Sequence, residues 1–458
     1  MSKTGVSKKL NLLDSSMLIM GSMIGSGIFI VSSDIARQVQ TPGMLLLVWA
    51  VTAVMTIFGA LSYGELAAAM PEAGGQYVFL RRIYHELFGF MYGWTVFTVI
   101  QTGTIAAVAV AFAKFTGVFV KEISPDVTVF RFGFFSISTQ QLLAASCILF
   151  LSLANFRAVK SGARLQNLFT FAKVAALLVI IVFGAWAGFT GSGNTAHFSP
   201  AWPDTWSLLT IGLFGSAMVG SLFSADAWNN ITYIAAEVEN PKRNLPLSML
   251  VGTGSVVLIY FFINVVYLYI LPISSIQAAE EDRVGTALMN AIAGNYGLYL
   301  MAALIMVATF GCLNGIILAG ARVYYAMAKD GLFFKSAARL NKNDVPANSL
   351  LMQGIWACVL VFSGSYSDLL TYVIFAVLIF YILTVGGVIV LRIKQPELPR
   401  PYKTFGYPLL PVIYIVLAVA VCVSLLVLQF GNTWPGLVLV LSGIPVYYVF
   451  KAVYGKES

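Results

Sequence analysis

Two glycine- and serine-rich segments interrupt long apolar runs, at residues 21–29 and at residues 212–228. Glycine and small polar residues allow a helix to unwind, and unwound backbone at bilayer depth is stable only around a cavity. The N–H groups at the start of a half-helix bind anions, and carbonyl oxygens that a break frees bind cations. An α-amino acid carries both charges on neighbouring atoms. Two facing breaks would therefore bind both ends of its head group.

Close packing of helices is the alternative explanation for the same small residues. Gly21 and Gly25 are four residues apart, as are Ser22 and Ser26, and each pair would lie on one helix face. The positions of the two segments favour a binding site, because they fall in the first and the sixth apolar run. Interrupted helices at matching positions of two halves indicate the binding site of a transporter.

The composition shows which elements must position these segments. Of the 458 residues, 59% are hydrophobic and 10% are charged, whereas a soluble domain has about 25% charged residues. This excludes a soluble enzyme, a nucleic-acid-binding protein and a secreted disulfide scaffold. The four cysteines lie inside apolar runs without CxxC spacing, and the two histidines lie in different loops. We therefore expect neither a metal site nor a cofactor.

The apolar runs are continuous, which predicts helices rather than barrel strands, and most are long enough to cross a bilayer. The sequence thus predicts an all-α polytopic membrane protein with twelve transmembrane helices. Their aromatic residues are expected mostly at the lipid or at the membrane interface. The runs lie at residues 12–32, 44–70, 88–118, 138–155, 165–188, 207–235, 247–271, 297–325, 348–364, 368–391, 408–430 and 435–453.

The distance between the two interrupted runs predicts the domain organisation. If runs one and six correspond, the repeat has five helices, and an odd number of crossings inverts the second copy in the membrane. We predict a first repeat at residues 1–188, a second at residues 189–393, and two additional helices at residues 394–458.

The basic residues predict the orientation. The loops on the side of the N-terminus hold 20 of the 27 lysines and arginines, the opposite loops hold 4, and 3 lie within spans. Basic loops stay in the cytoplasm, so both termini are predicted to be cytoplasmic in a multi-pass protein of the cell membrane. Residues 71–88 are amphipathic and predict an interfacial helix on that side.

Four motifs carry a resemblance to a known family. GSMIGSGIF at residues 21–29 resembles the first-span signature of the amino acid–polyamine–organocation superfamily. EVENPKRNLP at residues 237–246, FGCLNG at 310–315 and ARVYYAMAKDG at 321–331 resemble the L-type amino acid transporter branch, including bacterial serine/threonine-exchanger-like members. The resemblance covers essentially the whole chain. It implies a LeuT-like 5+5 inverted repeat with two extra helices and Na⁺-independent amino acid exchange.

The resemblance also implies substrate-binding residues. The family positions that bind the carboxylate correspond to Ile24, Gly25, Ser26 and Gly27. Those that bind the amino group correspond to Phe223, Ser224 and Ala225. Phe223 also matches an aromatic gate. Many relatives have Tyr at the position of Ala225, which here enlarges the side-chain pocket. Many have Gly at the position of Ala227, and alanine makes the unwound turn less permissive.

Charged and polar residues within spans are candidates for coupling or gating. Lys173 either extends to the interface or has a defined partner inside the bilayer. The resemblance implies that it lies between spans one and eight, where Na⁺-coupled relatives bind sodium, and that it makes transport Na⁺-independent. Asp226 either neutralises the substrate's ammonium group or, as we favour, caps the second half of span six. Asn314 in span eight is a candidate to face the site.

Three more charged residues, Glu65, Glu237 and Arg322, are predicted to form gate or scaffold salt bridges. The loop at residues 120–137 lacks the cysteine that links animal relatives to a glycoprotein partner, so no covalent heavy chain is expected. We predict Na⁺-independent transport of neutral L-amino acids by alternating access, as an exchanger. The alternatives are H⁺-coupled symport, with Lys173 titrating, and, in another class, an intramembrane enzyme, for which clustered catalytic groups are missing.

Overall fold

A computed structural model describes residues 10–72, 74–132, 135–156, 162–343 and 345–454. Several basic residues used to predict orientation lie outside these ranges, namely Lys3, Lys8, Lys9, Arg157, Lys160 and Lys456. Within the described ranges the chain forms sixteen α-helices: α1 Leu12–Met23, α2 Gly27–Val39, α3 Pro42–Ala69, α4 Gln76–Ile83, α5 Glu86–Thr95, α6 Gln101–Thr116, α7 Thr139–Ala154, α8 Gly162–Ala187, α9 Leu208–Ser224, α10 Pro241–Ile270, α11 Ile273–Gln277, α12 Val284–Lys329, α13 Ala347–Val361, α14 Tyr366–Lys394, α15 Leu409–Leu428 and α16 Phe430–Tyr454.

The first span is broken, as the sequence predicts. Asn11 and Asp14 form a capping box that starts α1. The helix ends at Met23, the backbone of the next residue, Ile24, is extended, and α2 begins at Gly27. The two helix axes differ in direction by 46°. The α-helical hydrogen-bond pattern is therefore interrupted at residues 24–26.

The sixth span is also broken, but its second half differs from the expected α-helix. After α9 ends at Ser224, the backbone of Ala227 adopts a left-handed conformation with φ +69°. The chain then continues as a 3₁₀-helix, Trp228–Glu237. This conformation is costly for alanine because its Cβ lies close to the following carbonyl oxygen. The unwound turn therefore forms with alanine at this position, where glycine would adopt the same conformation at lower cost.

The helices confirm an all-α polytopic membrane protein. In the described ranges nine helical segments are long and apolar enough to cross a bilayer, and the bent pair α1 and α2 makes ten. The segment formed by α5, a π-helical turn and α6 counts as one of them. Two shorter apolar helices, α7 and α13, have 16 and 15 residues. The predicted count of twelve requires that these two also cross.

Four of the packed helix pairs join spans that lie five apart in the chain. α2 contacts α9, α3 contacts α10, α6 contacts α12, and α7 contacts α13. Many tyrosines lie in the resulting core, including Tyr63, Tyr260, Tyr267 and Tyr324, which are almost fully buried. The expectation that aromatic residues lie mostly at the lipid or at the interface is wrong for these tyrosines, and the hydroxyls of Tyr260, Tyr267 and Tyr324 donate to backbone carbonyl oxygens. Tyr260, for example, donates to the carbonyl of Met23.

Contacts between distant segments define two faces of the molecule, which we call the N-terminal face and the opposite face. On the N-terminal face, the backbone of Leu10 bonds to Glu237 and Glu239, and Arg322 lies 3.6 Å from Glu237. On the opposite face, Arg37 at the end of α2 lies 2.7 Å from Asp282, which precedes α12. The ends of the broken spans therefore reach different faces, and the breaks lie between them.

Two elements of the loops differ from the sequence prediction. The strands β1 Thr128–Phe132 and β2 Phe135–Ser138 form an unpredicted antiparallel hairpin between α6 and α7, in register Arg131 to Ser136. The amphipathic segment predicted at residues 71–88 contains only the eight-residue helix α4, and α5 begins at Glu86. Gln76 and Tyr77 of α4 are buried, so this helix packs into the protein rather than only covering it.

Candidate substrate site

The two breaks meet face to face. A Cβ atom added to Gly27 would lie 2.2 Å from Ser224 Oγ and 3.1 Å from Ser224 Cα. Only glycine allows this approach without displacing α9. The geometric prediction on which the transporter interpretation depends is therefore confirmed: both interruptions exist and are in contact.

A cavity lies beside this contact, lined by residues of both breaks and of α4, α5, α6, α12 and α14. Five of the seven predicted substrate-binding residues line it: Gly25, Ser26, Gly27, Phe223 and Ser224. The other two, Ile24 and Ala225, lie in the breaks but do not line the cavity. Ala225 instead lines a small adjoining cavity between α3, α9, α14 and α15.

The α2 side of the cavity is suited to an anion. Ser26 occupies the N-cap position of α2 without making a capping hydrogen bond, and its buried hydroxyl has no partner among the described residues. N–H groups in the first turn of a helix have no intrahelical acceptor and carry the positive end of its dipole. A carboxylate placed against Ser26 and Gly27 would satisfy both kinds of donor.

The α9 side presents the opposite polarity. α9 ends at Ser224, so carbonyl oxygens of its last turn face the break and carry the negative end of the helix dipole. Ala225 and Asp226 donate their N–H groups to Ser221 and Phe223 and tighten that end. An ammonium group therefore finds acceptors within reach of the site for the carboxylate.

Lys173 lies under the break in the first span. Its side chain is 6% exposed, and Nζ is 3.2 Å from the Ile24 carbonyl oxygen and 3.4 Å from that of Gly21. Of the two alternatives for Lys173, extension to the interface is therefore wrong, and the structure has the defined partner inside the protein. Cys312 of α12 approaches the same segment from the other side, with Sγ 3.9 Å from the Ser22 carbonyl oxygen. Lys173 thus bonds to the broken backbone near span eight.

Asp226 does not cap the second half of span six. The N-cap position belongs to Ala227, and no side chain caps the 3₁₀-helix. The capping interpretation is wrong because the left-handed turn at Ala227 separates Asp226 from the first 3₁₀ turn. Instead, the Tyr381 hydroxyl of α14 donates to Asp226 Oδ1 at 2.5 Å. Asp226 lines the cavity, and among the described residues no cationic side chain pairs with it.

Asn314 lies away from the cavity. Its Oδ1 accepts a hydrogen bond of 2.7 Å from Asn155 at the end of α7, and it is not among the residues that line the site. The prediction that it faces substrate is therefore not supported. The spacing along α12 explains the difference, because Cys312 and Ile316 line the cavity and Asn314 points to another face of the same helix.

Several residues that line the cavity were not predicted. Asn229 donates to Gln76 of α4, which in turn donates to Thr384 of α14, and the hydroxyls of Tyr92 and Tyr233 are in contact. Polar residues inside apolar runs indicate that such a site exists, but the sequence does not show which of these residues contact one another. The additional lining residues include Gln76, Tyr92, Gln101, Thr104, Asn229, Asn230, Tyr233, Cys312 and Tyr381.

The cavity is connected to the N-terminal face. A second cavity shares Ser22, Tyr233 and Cys312 with the central one, and a third shares Glu237 and Arg322 with the second. Toward the opposite face, the ring of Phe223 packs edge-on against Tyr366 with centroids 6.5 Å apart. Cavities therefore follow one another from the site toward the N-terminal face, whereas two aromatic rings cover its other side.

The predicted salt bridges are confirmed. Glu65 accepts two hydrogen bonds from Arg392, at 2.7 and 2.9 Å, and another from the Thr404 N–H. This network ties α3 to α14 and to the loop before α15. Glu237 pairs with Arg322 at the N-terminal face.

A multi-pass helical protein with a buried polar cavity between two broken spans has the architecture of a solute transporter. The chain belongs to the amino acid permease family, whose sequence profile matches residues 10–450. The resemblance identified from the four motifs is therefore confirmed.

Three relatives illustrate the family. The chain is 28% identical over 459 residues to the mouse b(0,+)-type amino acid transporter 1, covering 99% of this chain and 89% of the relative. It is 30% identical over 454 residues to the human large neutral amino acids transporter small subunit 2, covering 98% and 81%. It is 29% identical over 450 residues to the serine/threonine exchanger SteT of Bacillus subtilis (strain 168), covering 98% of each. All three are named as transporters or exchangers, in agreement with the prediction that this chain is not an enzyme.

Proposed function

We propose that the protein carries neutral L-amino acids across the cell membrane by Na⁺-independent exchange, through alternating access. The observation that carries the proposal is the contact of the two breaks at Gly27 and Ser224, beside which α2 supplies free N–H groups and α9 supplies carbonyl oxygens. This arrangement binds a carboxylate and an ammonium group on neighbouring atoms. The names of the three relatives support amino acids as the substrate class.

Independence from Na⁺ is supported by Lys173. Its ammonium group bonds to the carbonyl oxygens of Gly21 and Ile24, which are the kind of ligand that a metal cation in this position would need. A side chain that supplies the positive charge makes the ion unnecessary. H⁺ coupling remains the alternative within transport, since Lys173 is a buried ionisable group at bilayer depth.

A cationic substrate side chain is the second candidate for specificity. Asp226 lines the cavity, and the Tyr381 hydroxyl is its side-chain donor. A carboxylate without a cationic partner is costly inside a membrane, and a substrate with a second ammonium or a guanidinium group would neutralise it. In the same cavity a neutral substrate side chain would contact mainly Phe223, Ile100 and Ile316.

The topology completes the proposal. Packing of α2 with α9, α3 with α10, α6 with α12 and α7 with α13 supports two five-helix repeats, at residues 1–188 and 189–393, followed by two helices. The excess of basic residues on the N-terminal face supports a cytoplasmic location of both termini. The structure would then be open to the cytoplasm and closed to the outside.

Counterflow in proteoliposomes tests the function. Vesicles are loaded with one unlabelled amino acid at a time, and uptake of a labelled one is measured with and without Na⁺ and with and without a pH gradient. Exchange predicts uptake only into loaded vesicles, equal in both salts and insensitive to the gradient. Uptake into empty vesicles that follows the pH gradient would establish symport instead. Uptake into vesicles loaded with lysine or arginine is then compared with uptake into vesicles loaded with serine or leucine. The comparison distinguishes a preference for cationic side chains from a preference for neutral ones.

A further inference from the structure

A group of charged residues closes the opposite face above the cavity. It comprises Arg37 at the end of α2, Lys114 at the end of α6 and the turn at residues 280–283 before α12; we call it the Asp282 cluster. Asp282 Oδ2 lies 3.1 Å from Lys114 Nζ, and Asp282 Oδ1 lies 2.7 Å from Arg37 Nη2. One carboxylate therefore joins the ends of spans one and three to the segment before span eight.

Lys114 is the buried member of the cluster. It is 7% exposed, and Nζ also donates to the Glu281 carbonyl oxygen at 2.9 Å. The Arg283 guanidinium group donates to the carbonyl oxygen of Lys114 at 3.0 Å, so both ends of Lys114 contact the turn. Charge-assisted hydrogen bonds are stronger than neutral ones, particularly where water is excluded.

The turn has a strained backbone. Glu281 and Asp282 are consecutive non-glycine residues with φ +46° and +63°. Such conformations persist only where the surroundings hold them, and they concentrate in switch regions and ligand clamps. Here the contacts with Lys114 and a hydrogen bond of 3.0 Å from Gln140 to Glu281 hold the turn. If Lys114 moved away, the turn would lose the contacts that oppose its relaxation.

Lys114 also connects the cluster to the cavity. Its Nζ lies 5.5 Å from the centroid of the Tyr366 ring, a distance at which a cation is attracted to an aromatic face. Tyr366 packs against Phe223, which lines the cavity. A continuous line of contacts therefore runs from Asp282 through Lys114 and Tyr366 to the substrate site.

We propose that Lys114 is a positioning residue for transport: its bond to Asp282 holds the opposite face closed while the cavity is open to the N-terminal face. The bond must break when the opposite face opens. Neither residue touches substrate, and their effect is on the balance between the two open states. The inference rests on the proposed alternating-access function.

The native thiol of Cys312 reports which face is open, because Cys312 lines the central cavity. All four cysteines are buried in this state, and the three that do not line the central cavity are replaced by alanine. Full-length protein in proteoliposomes sorted by orientation is treated with a membrane-impermeant thiol reagent on one face at a time. Rates of Cys312 modification are compared for the parent, Lys114→Met and Asp282→Asn. The matched control is Arg82→Gln, which removes the 2.7 Å ion pair of Arg82 with Glu72.

Both variants are expected to increase the rate of modification from the opposite face by about tenfold, because strong charge-assisted bonds are lost. The double variant should add little, since each single change removes the same pair. Arg82→Gln should leave both rates unchanged. The proposal would be overturned if folded Asp282→Asn had the parental rate of Cys312 modification from the opposite face. Equal increases in this rate from both faces would also overturn it, because they would indicate a general loosening of the structure. If Lys114→Met does not fold, Asp282→Asn still decides. Labelling needs no substrate, so a failure of amino acid uptake in the parent is a separate result.

Discussion

The two faces of the protein carry ion pairs of different character. On the opposite face, Lys114 is nearly buried and bonds to both a carboxylate and a carbonyl group. On the N-terminal face, the side chains of Arg322 and Glu237 are 58% and 36% exposed, and their closest atoms are 3.6 Å apart. Exposed pairs contribute about 0–1 kcal/mol. The Arg322–Glu237 pair is present although its face is open, so it does not lock that face.

Under the proposal for Lys114, an ion pair closes a face of this protein only where the pair is buried and excludes water. The buried pair of Lys114 and Asp282 would hold the opposite face closed, whereas the exposed pair of Arg322 and Glu237 only lines a cavity at the N-terminal face. The difference lies in burial and in the number of additional hydrogen bonds.

The largest effect is expected for Gly27→Val, because Gly27 belongs to neither face. The added side chain would collide with Ser224 and separate the two breaks. We expect amino acid transport to fall by at least about a hundredfold in both directions, measured as counterflow from each side. Gly254→Ala is the control, since a Cβ at Gly254 meets no atom within 4 Å. A loss of transport in one direction only would contradict a substrate site that serves both faces.

A smaller but still large effect is expected for Lys173→Met. The change removes hydrogen bonds from a charged group to the carbonyl oxygens of Gly21 and Ile24, each worth about 1.5–3 kcal/mol. Transport should fall by roughly tenfold to a hundredfold. Lys329→Met, at an exposed position on the N-terminal face, should transport normally. Parental uptake by Lys173→Met in the presence and absence of Na⁺ would refute the role proposed for this lysine.

Only a small effect is expected for Arg322→Gln. Because the pair with Glu237 is half exposed, its loss should change the free energy of either state by no more than about 1 kcal/mol. Accessibility of Cys312 from the N-terminal face and the rate of exchange should change less than about fivefold. A change as large as that of Lys114→Met would mean that the two faces are locked in the same way.

The smallest effect is expected for pH. Burial raises the pKa of the Asp282 carboxyl group, but the charges of Lys114 and Arg37 outweigh burial and lower that pKa below its ordinary value. A carboxylate with a lowered pKa stabilises the folded contact above its unfolded pKa and loses this effect only as the pH falls through the lowered value. Asp34, Glu280, Glu281, Arg283 and Tyr366 are the other titratable or charged groups near it.

Closure of the opposite face should therefore not change between about pH 5 and pH 8, since both lie above the ordinary pKa of an aspartate. The measurement is the accessibility of Cys312 from that face to a reagent whose own reactivity is corrected with a free thiol. Opening as the pH falls toward 5 would contradict the low pKa of Asp282 and would point to Glu281, whose pKa burial raises.

Some parts of the site could be predicted from local patterns. The glycines at residues 21–27 indicate the break in the first span, and a lysine inside an apolar run indicates that Lys173 needs a buried partner. Glu65 was predictable as a salt-bridge residue because a carboxylate near a helix end seldom stays unpaired. In each case one segment of chain carries the signal.

Other parts were predicted wrongly or not at all because their partners are far apart in sequence. The bond of Asp226 to Tyr381 spans 155 residues, and that of Asn155 to Asn314 spans 159. Capping was a reasonable interpretation for Asp226 until the left-handed turn at Ala227 placed its carboxyl group elsewhere. Lys114 and Asp282 are likewise 168 residues apart; Lys114 lies inside an apolar run, as Lys173 does, but no local pattern marks Asp282 as its partner.

The amino-acid sequence by itself determined the membrane class, the positions of the two breaks and the family, since these follow from hydropathy, glycine content and short motifs. Only the tertiary structure decided which polar groups meet, which of them line the cavity and which face is closed. The physical reason is that hydropathy and backbone flexibility are properties of adjacent residues. Hydrogen bonds and ion pairs between helices depend instead on packing, which brings together side chains more than a hundred residues apart.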